Sequence, residues 1–260
     1  MARAPALFVS HGSPMLPLEP GSAGPMLQRL GRRLDGARAI VALSPHWMAR
    51  GALVGASEHP ATIHDFSGFD PALDTLRYAA AGDPALAHRV AELLQGAGWR
   101  VGLDPARGLD HGVWNPLLVM RPRADLPVVP VAMPWPLDAA AAWRLGQALA
   151  PLRDDGVVLL GSGSLTHNLY EFRADARLDD ATVPYVRAFV DWARDAVARG
   201  DRDTLLAWSS RAPHAQRAHP SAEHLLPLFW ALGAADGDEA EWFDGGVHYG
   251  MLSMDAWLFA

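Results

Sequence analysis

The 260-residue sequence has no cysteine. That excludes disulfides, thiolate metal sites and a cysteine nucleophile, so any protein-borne metal must be held by His, Asp, Glu or weaker oxygen ligands. Positive charge is scarce as well: 22 basic residues stand against 29 acidic ones, a formal net charge of −7. This argues against a sequence-independent phosphate-binding surface and against anionic membranes. No apolar run is long enough to cross a bilayer, and no basic-then-apolar leader precedes the first apolar segment. A cytoplasmic protein with neither nucleic-acid nor membrane partners is expected. Repeats, low-complexity tracts and linkers are also missing. Half the residues are hydrophobic, enough for the core of a single catalytic domain over 1–260.

What is present is one pattern used three times. Ala6-Leu7-Phe8-Val9 stops at Ser10-His11-Gly12-Ser13-Pro14. Ala39 to Leu43 runs into Ser44-Pro45-His46-Trp47, and Val157 to Leu160 into Gly161-Ser162-Gly163-Ser164-Leu165-Thr166-His167-Asn168. Short apolar runs bounded by Gly and Pro read as buried strands ending in turns. Each delivers a histidine just past its end, at the edge where open α/β sheets bind ligands.

Between these runs, helical spacing is expected at Met26–Leu34, at Pro84–Leu94 with Asp83 as N-cap, and from Asp138 to about Leu152. Further helices are expected at Thr182–Ala198, at Asp203–Ser209, and from Pro220 or Ser221 through Leu232. Strands are expected at Leu53–Ala56, Trp99–Leu103, Val128–Met133 and Leu252–Phe259. Leu109–Pro116 reads as a turn, and Glu58–Pro71 as a long aromatic loop of functional character. Strands alternating with helices predict an α/β fold: one central, mostly parallel or mixed sheet flanked by helices, with the metal site at the carboxyl ends of its strands.

Eleven histidines are many for this length. A single His near a strand end is more often a hydrogen-bonded structural residue, but α/β winding would bring His11, His46 and His167 into one crevice. Neutral imidazoles there suit Fe²⁺, Zn²⁺ or a similar ion. His111, in a glycine-containing turn, and His224, at an expected helix start, are further candidates. Glu223 competes with His224, because adjacent helical residues point about 100° apart. His59, His88, His214 and His248 carry no motif, and His219 is placed to pair with Glu223. His64 and Asp65 in the aromatic loop could line a pocket. A serine-nucleophile elbow fails at Leu165, and a phosphate-cradling loop fails for want of its Lys-Ser/Thr ending.

SHGSP, SPHW, TIHDFSGF, LDHGVWNPL, GSGSLTHNL and HPSAEHLLPL, in this order from Leu7 to about Leu232, resemble the class III extradiol ring-cleavage dioxygenases. The likeness is to the LigB-like branch called 4,5-DOPA dioxygenase extradiol. The resemblance implies an oxidoreductase that cleaves the ring of a substituted catechol and incorporates both atoms of O₂. It implies one divalent metal, Fe²⁺ for activity, with Zn²⁺ able to occupy the same site. His11, His46 and His224 fall on ligand positions, and His167 on a residue that is either a ligand or an acid/base. His111 falls on the other active-site histidine. His64, Asp65, Phe66, Phe69, Trp47 and Trp114 are then expected to enclose the aromatic substrate. Better-known members use two His and a carboxylate, whereas here the motif ends in His224, with Glu223 one place off. Two rivals stand beside this reading: a Zn²⁺ hydrolase of an amide or ester, and a non-catalytic metal-cleft binding protein.

Overall fold

The apolar runs become strands because each can be covered on both faces. The computed structural model describes residues 3–173 and 175–260. In chain order the first half contains β1 (Ala6–Ser10), α1 (Ala23–Arg32), β2 (Ala39–Ala49), β3 (Ala52–Gly55), α2 (Pro84–Gly96), β4 (Val101–Asp104), α3 (His111–Met120) and β5 (Val128–Pro134). The second half contains α4 (Ala139–Leu149), β6 (Val157–Gly163), α5 (Pro184–Ala198), the short helices α6 (Arg202–Leu206), α7 (Trp208–Arg211) and α8 (Ala215–Ala218), and then α9 (Leu226–Ala235). It closes with β7 (Ala240–Phe243), a small hairpin of β8 (Val247–His248) and β9 (Leu252–Ser253), and β10 (Ala256–Phe259).

Eight strands form one sheet in the order β4-β3-β5-β2-β6-β1-β10-β7. Its centre, β5-β2-β6-β1, is parallel, and β10 and β7 add antiparallel strands at one side. The expected mixed α/β sheet is present. Alternate residues of β1 serve different layers: Ala6 and Phe8 join the core packed with α2, α4, α5 and α9, while Leu7 and Val9 join the core under α1 and α3. A period of two on a sheet covered on both faces gives this continuous apolar reading. Among the described residues no helix is long and apolar enough to cross a membrane.

Asp83 and Asp138 cap α2 and α4, accepting from Leu86 N and Ala141 N. Four expectations need correction. β2 does not end before His46 but runs through Ser44-Pro45-His46-Trp47 to Ala49, with a shift in pairing register between Ser44 and Met48. Such a bulge accommodates a proline inside a sheet. The Leu109–Pro116 turn is the start of α3, which carries Pro116 in its first two turns. The helix expected from Pro220 begins only at Leu226, so His224 lies in the turn before α9. The terminal strand is two, β9 and β10, in different sheets.

Candidate metal centre

β6 lies between β2 and β1, so the carboxyl ends of three parallel strands form one edge. His11 follows β1 directly, and its amide donates to the Gly163 carbonyl at 2.9 Å. Ser162 fixes the His11 ring. The Ser162 hydroxyl donates its one proton to the Gly112 carbonyl, so towards His11 Nδ1, 3.1 Å away, it can only accept. Nδ1 therefore carries the ring proton, and Nε2 is left as a bare acceptor 3.2 Å from His46 Nε2.

His46 reaches this point from the β2 bulge, and α3 descends on it because residue 112 is glycine. A Cβ at Gly112 would stand 2.3 Å from Ser44 Oγ and 2.8 Å from the His46 ring. The His111 ring at the start of α3 thus packs 3.9 Å from that of His46, centroid to centroid. Asp65 grips His111 twice: Oδ1 accepts the His111 amide at 2.9 Å, and Oδ2 lies 3.0 Å from the ring Nδ1. Burial works to raise the Asp65 carboxyl, but its bonds and proximity to His111 prevail and hold it at about 2.

His224 is brought in by Gly163. A Cβ there would lie 2.2 Å from the His224 carbonyl, so the bare strand lets the turn before α9 lie flat on β6. The Ser164 amide then donates to that carbonyl at 2.8 Å. The sequence suggested that these glycines turn the chain sharply; Gly163 instead permits a close approach within an extended strand. His224 Nδ1 sits 3.2 Å from Glu223 Oε1, which also accepts from the Ser221 hydroxyl. His224 Nε2 is buried without a hydrogen-bond partner, an arrangement that costs free energy unless something fills it.

The rings of His11, His46 and His224 make a nearly equilateral triangle, with centroids 5.1, 5.1 and 5.5 Å apart. Two triplets have ligand atoms within 4.8 Å of one another: His11, His46 and His111, and His167, Glu223 and His224. His167 stacks on His224 with centroids 3.6 Å apart and planes 8° from parallel. Imidazole lone pairs lie in the ring plane, so two rings stacked this way cannot both point at one ion about 2 Å from each nitrogen.

The rings of His11, His46, His224 and His167 favour the neutral form that ligation requires. His11 is held well below the ordinary imidazole range by burial first, then by His46, His224, His111 and His167. His46 is lowered to about 3 by burial and His111, against the pull of Asp65. Burial and then His167 press His224 well down. His167 is lowered by burial, with Glu223 opposing. A buried, unpartnered nitrogen on His224, the paired Nε2 atoms of His11 and His46 and a neutral imidazole donor set fit a divalent transition-metal ion.

The five histidines line a cavity of about 430 Å³ together with Phe66, Phe69, Leu169, Phe172 and Leu252. Of the expected substrate contacts only Phe66 and Phe69 line this space. Trp47 is buried under the Arg107 guanidinium, 4.6 Å from its ring centroid. Trp114 is fully buried and donates from Nε1 to the Ile63 carbonyl, supporting Phe66 from behind. His64 contacts the Leu76 carbonyl and edges Phe66, and Asp65 serves His111. Sequence reading missed Ser162, Leu169 and Phe172. The apolar Leu169 and Phe172, just after His167 in an otherwise polar stretch, were the available signal for two of them.

A family profile described as the catalytic LigB subunit of aromatic ring-opening dioxygenase matches residues 5–257. A protein named 4,5-DOPA dioxygenase extradiol from Beta vulgaris is 36% identical over 257 residues, covering 97% of this chain and 95% of its own. One of the same name from Escherichia coli K12 is 40% identical, covering 97% and 93%. The crystal structure of an uncharacterized protein from Escherichia coli K12 superposes with a TM-score of 0.81 at 32% identity, over 99% of this chain and 100% of that one. The chain therefore belongs to the LigB family of aromatic ring-opening dioxygenases.

Proposed function

We propose that this protein is an Fe²⁺-dependent extradiol dioxygenase acting on a substituted catechol, with His11, His46 and His224 as the metal ligands and Zn²⁺ able to occupy the same imidazoles. The single observation that carries the ligand set is the buried, unpartnered His224 Nε2 beside the His11 and His46 Nε2 atoms, which stand 3.2 Å apart. Held by these imidazoles, a divalent iron would supply Lewis acidity to a catechol and a route to its reaction with O₂ despite the spin mismatch. Overall, the ring C–C bond beside the diol breaks and both atoms of O₂ enter the product, so no external reductant is needed.

The remaining groups handle protons and position. Stacking keeps His167 off the ligand set of His224 while leaving it in the same cavity. With its pKa lowered by burial, it is neutral near pH 7 and suited to take a phenolic proton and return it later. His111, its Nδ1 at the Asp65 carboxylate, also lines the cavity and assists by hydrogen bonding to a diol oxygen. Phe66 and its aromatic neighbours exclude water and pack on the ring. That relatives are named for DOPA supports a dihydroxyphenyl compound as substrate. The cavity supports an aromatic ring and O₂ as partners, and we expect the protein in the cytoplasm.

The test is anaerobic reconstitution with Fe²⁺, then addition of O₂ and a catechol panel, following the yellow semialdehyde product. Colour that requires both Fe²⁺ and O₂ is expected. Ester or amide hydrolysis by the Zn²⁺ form without air, and no ring cleavage with iron, would overturn the proposal.

A further inference from the structure

The cavity's far wall says what the substrate carries besides its diol. Phe66 is the centre of a rigid aromatic ladder: its ring meets Phe69 edge-on at 5.8 Å and His111 edge-on at 5.6 Å, with Trp114 at 6.2 Å behind it. Opposite, Phe172 is braced edge-on by Tyr249 at 5.5 Å, and Leu169 stands beside it. The apolar surface extends to the mouth, where Phe69, Leu169 and Phe172 remain 43, 59 and 42% exposed. An exposed apolar rim around a polar floor marks a surface that binds something apolar.

No charged side chain lines this cavity among the described residues. The chain has no lysine at all, and the arginines of the adjoining segments are committed elsewhere. Arg77 donates to the carbonyls of Asp74 and Leu76. Arg173 pairs with Asp180, and Arg217 with Glu171. An amino-acid substituent would therefore bring its carboxylate against phenyl rings with no free cation to meet it, and its ammonium likewise. At this half-exposed rim such charges lose part of their water and gain no partner, whereas an alkyl or aryl group gains on every carbon it buries.

Resting on the ring-cleavage reading above, we propose that the Phe66–Phe69–Leu169–Phe172 wall selects catechols bearing an uncharged apolar substituent and ranks them ahead of catechols bearing an amino acid. The diol would lie against the histidine floor, and a substituent on the ring would point along the wall to the rim.

The experiment is an anaerobic equilibrium titration of the Zn²⁺-loaded protein, read by quenching of tryptophan emission, with turnover of the Fe²⁺ form measured alongside. The probes are catechol, 4-methyl-, 4-ethyl- and 4-propylcatechol, 4-phenylcatechol, 3-(3,4-dihydroxyphenyl)propionate and L-DOPA. Affinity should rise roughly three- to fourfold per added methylene, and 4-propylcatechol should bind at least about tenfold more tightly than L-DOPA or the propionate. Phe172→Arg, a change at an exposed rim position, should narrow or reverse that ratio by favouring the propionate. L-DOPA binding as tightly as 4-propylcatechol, or a flat alkyl series, would overturn the apolar-wall proposal while leaving ring cleavage intact. If no catechol perturbs the metal-loaded protein, the ring-cleavage reading falls and this proposal with it.

Discussion

Two groups of buried histidines share almost every bulk property and differ in one. His11, His46 and His224 in the cleft have strongly lowered pKa values, but so does His219, which sits between Phe189 and Trp208 and is held at about 4 by burial. In both places one ring nitrogen meets an oxygen: Ser162 for His11, Glu223 for His224, the Leu165 carbonyl for His219. The difference lies in the other nitrogen. In the cleft the three rings stand 5.1 to 5.5 Å apart around one cavity with His224 Nε2 unpartnered, whereas His219 Nδ1 is alone among aromatic rings. Burial and depressed basicity do not distinguish a candidate ligand from a core histidine; the clustering of rings around a shared cavity does.

The largest expected effect separates the cleft's own members. His167→Gln should lower turnover by roughly 10²–10⁴ while the protein keeps its metal, measured as product formation per bound iron. Loss of metal in parallel with rate would make His167 a ligand and dissolve the distinction drawn from its stacking.

His219 should show itself in stability and not in catalysis. Unfolded, it takes up a proton near pH 6.5; folded, only near pH 4. Between those values the unfolded chain binds more protons, so acidification costs stability, about 3 kcal/mol from this residue by pH 4. Denaturant unfolding at pH 6.5 and 4 should therefore show a smaller acid-induced loss in His219→Leu than in the unsubstituted protein. An equal loss in both would remove His219 from this role.

The oxygens behind the cleft histidines should matter less than the rings and more than surface groups. Glu223→Gln and Asp65→Asn remove the partners of His224 and His111; outer partners of metal-site histidines are typically worth 10–100-fold in affinity or activity. We expect Glu223→Gln to weaken metal binding and Asp65→Asn to lower turnover with metal retained, by isothermal titration and steady-state assay respectively. Glu223→Gln abolishing metal outright, with His224→Ala retaining it, would restore a carboxylate ligand. The smallest change is Ser162→Ala, which loses two buried hydrogen bonds of about 1 kcal/mol each; only the one to His11 bears on the metal, and affinity should shift only a few-fold.

The sequence made the architecture of this site legible where local chemistry and fold agree. Apolar runs ending at His11, His46 and His167 predict strand ends, and β1, β2 and β6 lie adjacent and parallel, as winding requires. It was less legible where tertiary packing overrides local pattern. Ser44-Pro45 reads as a turn, yet pairing with β5 resumes at Met48 and Ala49 and keeps the chain extended through a bulge. Trp47 and Trp114 looked like substrate contacts because aromatic character is visible in a sequence and the direction of a side chain is not. The part of Ser162 depended on knowing that its proton goes to Gly112, 50 residues away in the chain. His224 was placed at a helix start because Pro220 and Ser221 resemble one. It lies in the preceding turn, seated by Gly163.

The central claim is that three imidazoles meeting at one point hold the metal and a fourth, stacked on them, does not. Metal content after equilibrium dialysis of His11→Ala, His46→Ala, His224→Ala and His167→Gln, each checked for an unchanged far-UV circular dichroism spectrum, tests it directly. The first three should emerge nearly metal-free and His167→Gln fully loaded; full occupancy in all of the first three, or an empty His167→Gln, would contradict it.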